Sequence, residues 1–111
     1  MKVIVSEDNN LEFDNGVCIR GLGDIDCCAY NYLDFDQLPV GTELPDMKLG
    51  ELVDAITVKD DGFAVTDSTG TPKWVQARSE QNGYYSNMTD VEVSDKQKTV
   101  NIGRLSGMGE Y

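Results

Sequence analysis

The chain has 111 residues, 40% of them hydrophobic, with a formal net charge of −11 from 20 acids and 9 bases, and it contains no histidine. That size supports one domain around one modest core. The charge opposes direct binding to nucleic acid or an anionic membrane surface. No apolar run is long enough to span a bilayer, and the lack of histidine removes the commonest general base and a frequent zinc ligand.

The opening, MKVIVSEDNN, has a Lys and a short apolar run but no cleavage-site pattern, and reads as a first strand rather than a signal peptide. NLEFDNGVCIRG reads as strand, turn, strand, with Asn15-Gly16 supplying the positive-φ positions of a tight hairpin. Leu11 and Phe13 share one face, Glu12 and Asp14 the other, and Val17 and Ile19 alternate with Cys18 and Arg20. Gly21 and Gly23 loosen the chain in the manner of a bulge.

CCAYNYLDF is the next strand. If it is extended, Ala29, Asn31, Leu33 and Phe35 point one way and Tyr30, Tyr32, Asp34 and Asp36 the other. QLPVGTELPDMKLGE is a connecting loop, and residues 46–55 are the one stretch with a short-helix alternative. LVDAITVKDDGFAVTDSTGTPKWVQARSE is a three-strand meander with turns at Asp60-Asp61-Gly62 and Ser68-Thr69-Gly70. Ile56, Val58, Phe63, Val65, Val75 and Ala77 face inward, while Trp74, Gln76 and Arg78 share the opposite face of their strand. QNGYYSN is a turn followed by paired tyrosines, DVEVS and TVNIG close the sheet, and residues 106–111 form a frayed tail after a single domain over 1–105. The expected class is all-β with at most one short helix: a small antiparallel roll, sandwich or open barrel.

No reaction chemistry stands out. A zinc site from Cys18, Cys27, Cys28 and an Asp requires a kink, because adjacent strand residues point to opposite faces. No CxxC redox motif is present, and the cysteines read as small packing groups of a protein in a reducing cytoplasm. Gly21-Leu22-Gly23 lacks the rest of a phosphate loop, and the aspartates at 24, 26, 34 and 36 lack the spacing of a calcium loop. The expectation is therefore no catalytic residue, no metal and no cofactor.

Charge placement is more informative. Residues 1–55 carry −9 and residues 56–111 carry −2, and no base occurs between Arg20 and Lys48. On a strand, Tyr30, Tyr32, Asp34 and Asp36 repeat at roughly 6.6 Å, twice the rise per residue. Regular carboxylates and rigid aromatics suit a partner interface. The expected contact residues are Asp24, Asp26, Tyr30, Tyr32, Asp34 and Asp36, and the expected partner is a basic protein surface of the kind that handles nucleic acid.

Two stretches, DIDCCAYNY and SEQNGYYSN, resemble the paired signatures of a small domain family of unknown function found in bacteriophages and prophages. The matching residues are Asp26, Cys27 and Cys28, then Asn82, Gly83, Tyr84, Tyr85 and Ser86. The resemblance implies a phage or prophage source, a β-rich fold, and two motifs that meet in space, with Cys27 or Cys28 packed on Tyr84 or Tyr85. It implies no known activity. By analogy with small acidic phage proteins, the expected role is that of a non-enzymatic inhibitor of host nucleic-acid-handling machinery in the bacterial cytoplasm, of the anti-CRISPR or anti-restriction kind. Two rival expectations are a metal- or nucleotide-binding pocket built on Asp26, Cys27, Cys28 and residues 82–86, and an oligomeric phage structural or regulatory protein that assembles through sheet edges.

Overall fold

The alternation of apolar and polar residues resolves into ten short strands and one helix in a computed structural model that describes residues 1–23, 29–81 and 86–109. In chain order these are β1 (Val3–Glu7), β2 (Asn10–Phe13), β3 (Cys18–Gly23), β4 (Tyr30–Asp34), α1 (Leu49–Ala55), β5 (Thr57–Val58), β6 (Gly62–Thr66), β7 (Pro72–Glu80), β8 (Met88–Ser94), β9 (Thr99–Ser106) and β10 (Met108–Gly109). They form two sheets that do not close into a barrel. One has the order β1-β2-β3-β8-β9, all antiparallel. The other is centred on β7, with β4 on one edge; β6 then β5, together with the short parallel β10, lie on the other.

The two sheets share one core. Leu11, Phe13, Ile19, Val91, Val93 and Leu105 enter from the first sheet, and Leu33, Phe63, Val65, Val75 and Ala77 from the second; all are essentially inaccessible. Phe35, just past β4, meets Phe63 edge to face with ring centroids 6.5 Å apart. Helix α1 adds Leu49 and Leu52 to this core. Its first turn is fixed by the Glu51 carboxylate, which accepts the Lys48 backbone N–H at 3.0 Å. No helix among the described residues is long and apolar enough to cross a membrane.

Several sequence expectations change in detail. Of Asn15 and Gly16, only Gly16 has positive φ. The Gly16 N–H bonds to the Phe13 carbonyl and the Phe13 N–H to the Val17 carbonyl, so the hairpin has a three-residue loop with glycine in the left-handed position. Gly21 and Gly23 form no bulge, because β3 pairs with β8 in unbroken register from Cys18↔Ser94 to Gly23↔Thr89. They make room instead: a Cβ on Gly21 would strike Asn9 and Leu33, and one on Gly23 would strike the Asn31 backbone carbonyl. Val58 is 41% exposed rather than inward-facing, since β5 is a two-residue strand at a sheet edge. The expected frayed tail is paired as far as Gly109: Ser106 ends β9, and Met108 and Gly109 lie beside Arg78 and Ser79.

The turn between β1 and β2 joins the sheets. Asn9 has φ 66°, a conformation that asparagine tolerates better than most residues. Its N–H bonds to the Leu33 carbonyl at 3.2 Å, its Oδ1 accepts the Leu33 N–H at 2.8 Å, and its carbonyl accepts the Gly21 N–H at 3.1 Å. One residue thus occupies the outer edge of β4 and ties it to β3.

Candidate functional site

Strand alternation puts Tyr30, Tyr32 and Asp34 of β4 on the outer face, with Asn31 and Leu33 buried beneath them. Antiparallel pairing sets Tyr30 opposite Glu80, Tyr32 opposite Arg78 and Asp34 opposite Gln76. Trp74 lies one step further along the same face of β7, opposite Ala64 of β6. The outcome is one continuous aromatic and polar surface. The Tyr30 and Tyr32 rings stack, with centroids 4.7 Å apart and planes inclined by 18°. Tyr30 is nearly half exposed. Its hydroxyl lies 3.5 Å from the Asp8 carboxylate, and that of Tyr32 lies 3.5 Å from Glu80.

The electrostatics depart from the sequence expectation. Asp34 is not an unopposed acid: Arg78 Nε lies 2.6 Å from its Oδ2. Burial pushes the Asp34 carboxyl up, but the hydrogen bonds from Arg78 and from the Asp36 N–H outweigh it and hold the group below the usual aspartate value. Asp36 is fully exposed, and the Asp34 charge beside it pushes its pKa up. Burial and the nearby Asp8 carboxylate raise the Tyr30 phenol above its ordinary value. The acids of the first half also meet bases elsewhere, as in Lys2–Glu43 at 3.8 Å. On the first sheet Arg104 lies 3.5 Å from Asp90. The sequence asymmetry therefore does not become one charged half of the molecule, because β3 pairs with β8 and β4 with β7.

A recess of about 130 Å³ opens beside Trp74, bounded by Asp34, Asp36, Gln37, Gln76 and Arg78. Its walls are fixed by hydrogen bonds. Gln37 Oε1 accepts the Trp74 backbone N–H and Gln76 Oε1 accepts the indole N–H, both at 2.8 Å. Gln76 Nε2 donates to the Asp61 carbonyl at 2.9 Å. Gly62 opposite Gln76 leaves space that the Trp74 ring occupies, since a Cβ there would run into the indole.

No known family model matches the chain, and no curated protein or solved structure was found similar to it.

Tyr30, Tyr32 and Asp34 share the outer face of β4 as expected, whereas Asp36 lies past the end of the strand in a turn, its N–H bonded to Asp34 Oδ1, and does not continue the expected strand row. Asp24 and Asp26 lie outside the described residues, as do Cys27, Cys28 and residues 82–85 of the second motif. What is described is the frame between the motifs, a buried polar chain under β4 and β7. Ser79 Oγ donates to Asn31 Oδ1, and Gln81 Nε2 donates to Ser79 Oγ, both at 2.6 Å. Asn31 Nδ2 and Gln81 Nε2 both donate to the Ser86 carbonyl, at 2.9 and 3.0 Å. Among the described residues no three His, Cys, Asp or Glu side chains are grouped to hold a metal. Cys18 faces outward on β3, its Sγ 3.0 Å from Ser94 Oγ. A larger cleft of about 730 Å³ lies between the β5–β6 turn and β9, where Lys59 and Arg104 are matched by Asp60 and Asp61. Sequence reasoning missed Asp8, Gln37 and Glu80 at the β4–β7 face. The alternation of β7 puts Trp74, Gln76 and Arg78 on one face, but it carries no information on which strand lies beside them.

Proposed function

We propose that the protein is a non-enzymatic binding module that engages a basic protein surface through the outer face of β4 and β7. The observation that carries this reading is the exposed, stacked Tyr30–Tyr32 pair, set on a paired strand and flanked by the carboxylates of Asp8, Asp36 and Glu80. Tyrosines held by their neighbours offer a large amphipathic contact area at small entropic cost. The surrounding acids, within a chain of net charge −11, speed encounter with a cationic partner and exclude polyanions. The finer form of the reading is stoichiometric inhibition of host nucleic-acid-handling machinery by occupying its basic groove. It is supported by the charge and by the motif resemblance, and it places the protein in a phage-infected bacterial cytoplasm.

Affinity capture from bacterial lysate, with wild type and a Tyr30→Ser/Tyr32→Ser variant, tests the reading. A basic nucleoprotein partner should be retained by wild type, released at high salt and lost from the variant. Loss of an interface hot spot of this type weakens binding by about 2 kcal/mol or more, roughly thirty-fold. Equal retention by a folded variant overturns the assignment of this face.

A further inference from the structure

We infer that the recess beside Trp74 receives the guanidinium of an arginine on the protein partner. This inference rests on the binding reading above and specifies the group that the face captures. At about 130 Å³ the recess holds the equivalent of about four waters, well below the roughly 300 Å³ at which small-molecule pockets begin. A side-chain head fits that space and a metabolite does not.

Charge selects the sign of the occupant. Two carboxylates, Asp34 and Asp36, face one guanidinium, Arg78, so the lining carries one net negative charge. A cation neutralises the site, and an anion would add to Asp36. Hydrogen bonding then selects the position. Asp34 is occupied on both oxygens, by Arg78 and by the Asp36 N–H. The two glutamine oxygens are taken by Trp74. The exposed Asp36 carboxylate lies against that of Asp34, whose charge disfavours its ionisation, and it accepts no N–H from the described residues, so it keeps the most acceptor capacity for a ligand's N–H groups. The indole supplies a second contact, because a cation at an aromatic face is attracted by the ring quadrupole. Arginine satisfies both requirements with one planar group, which forks to a carboxylate and stacks on an aromatic ring; lysine offers a point charge alone.

Trp74 is the single tryptophan of the chain, so its fluorescence reports on the recess directly. The test titrates the full protein with a short Gly/Arg peptide and with the same peptide carrying Lys or Glu in place of Arg. Calorimetry provides the affinities. The Arg peptide should shift the indole emission and bind more tightly than the Lys peptide, and the Glu peptide should not bind. Asp36→Asn, at an exposed position, should weaken the Arg peptide by roughly three- to thirty-fold with an unchanged circular dichroism spectrum. If the Arg peptide binds without an indole response, or binds Asp36→Asn as tightly as wild type, the recess is not the arginine site. If Tyr30→Ser/Tyr32→Ser weakens partner capture in that case, the face remains the interface and only the recess assignment falls. If partner capture survives the tyrosine change as well, both fall.

Discussion

Arg78 and Asp34 form a diagonal ion pair across the β4–β7 ladder, with Nε 2.6 Å from Oδ2, although 44 residues separate them in the chain. Asp34 sits opposite Gln76 and Arg78 opposite Tyr32, so the contact bridges two cross-strand pairs and pins the end of β4 onto β7. The side chains are 13% and 34% exposed, which shelters the pair from full solvent screening.

Removing Arg78 should therefore destabilise the protein rather than only alter its surface. Arg78→Ala leaves a partly buried carboxylate with only the Asp36 N–H as donor, at a cost of roughly 1–3 kcal/mol. Urea denaturation of Arg78→Ala, Asp34→Asn and the double variant isolates the coupling. A coupling energy indistinguishable from zero would show that the pair contributes nothing to the fold.

Asp34 and Asp36 should respond to acid in opposite senses. Asp34 has a lowered folded pKa, so its stabilisation is present above the usual aspartate value and is lost as pH falls through the lowered value. Asp36 has a raised folded pKa, so its charge opposes folding at neutral pH and the penalty disappears as it binds a proton. At neutral pH, Asp34→Asn should lower the urea midpoint and Asp36→Asn should raise it. Both differences should vanish well below the aspartate range. Midpoints that move in the same direction at neutral pH contradict the assignment.

The glycines of β3 and α1 should behave oppositely on substitution by alanine. Gly23→Ala drives a Cβ into the Asn31 carbonyl, which is backbone and cannot give way without moving β4, at about 1–3 kcal/mol. Gly50 in α1 has open space around it, and Gly50→Ala should stabilise by about 0.5–1 kcal/mol through helix propensity. Thermal unfolding of the two variants gives the comparison. A neutral Gly23→Ala would mean that β3 and β4 are further apart than described.

Asn9 should be required for both its conformation and its side chain. Asn9→Gly keeps the positive φ but removes the acceptor of the Leu33 N–H, at roughly 1–3 kcal/mol. Asn9→Ala adds about 1–2 kcal/mol of left-handed backbone strain. The expected order of stability is wild type, then glycine, then alanine, with faster hydrogen exchange at the Leu33 amide in both variants. Alanine as stable as glycine would remove the conformational part of the argument.

Period-two alternation made the strands legible, because one face of nearly every strand is buried: Phe63 with Val65 and Val75 with Ala77 point inward as expected, Leu11 and Phe13 share one face as expected and that face is buried, and Val91 with Val93 is buried as well. It also placed Tyr30, Tyr32 and Asp34 on one side, but the alternation stops there, since Asp36 lies in a turn beyond β4. Alternation carries no information on which strands are neighbours. The pairing of β4 with β7 brought Arg78 to Asp34 and Trp74 to the edge of the same surface, and it replaced an expected row of free carboxylates by a mixed aromatic and charged site. The glycines of β3 misled for a related reason. Their signature is shared by bulges and by close approach of a second strand, and only the position of β4 distinguishes the two.

The placement of β3 between β2 and β8 has a consequence for biosynthesis. Cys18 pairs early with Glu12 of β2, but its second ladder partner is Ser94, and Tyr30 finds its own only at Glu80. Until the ribosome has released the chain through β8, the β1–β2–β3 hairpin unit carries an open strand edge and an uncovered apolar face. Loop closure over such long separations is slow. Repulsion among the acids of the N-terminal half keeps neighbouring nascent chains apart during that interval, giving the charge a protective task before any partner is met.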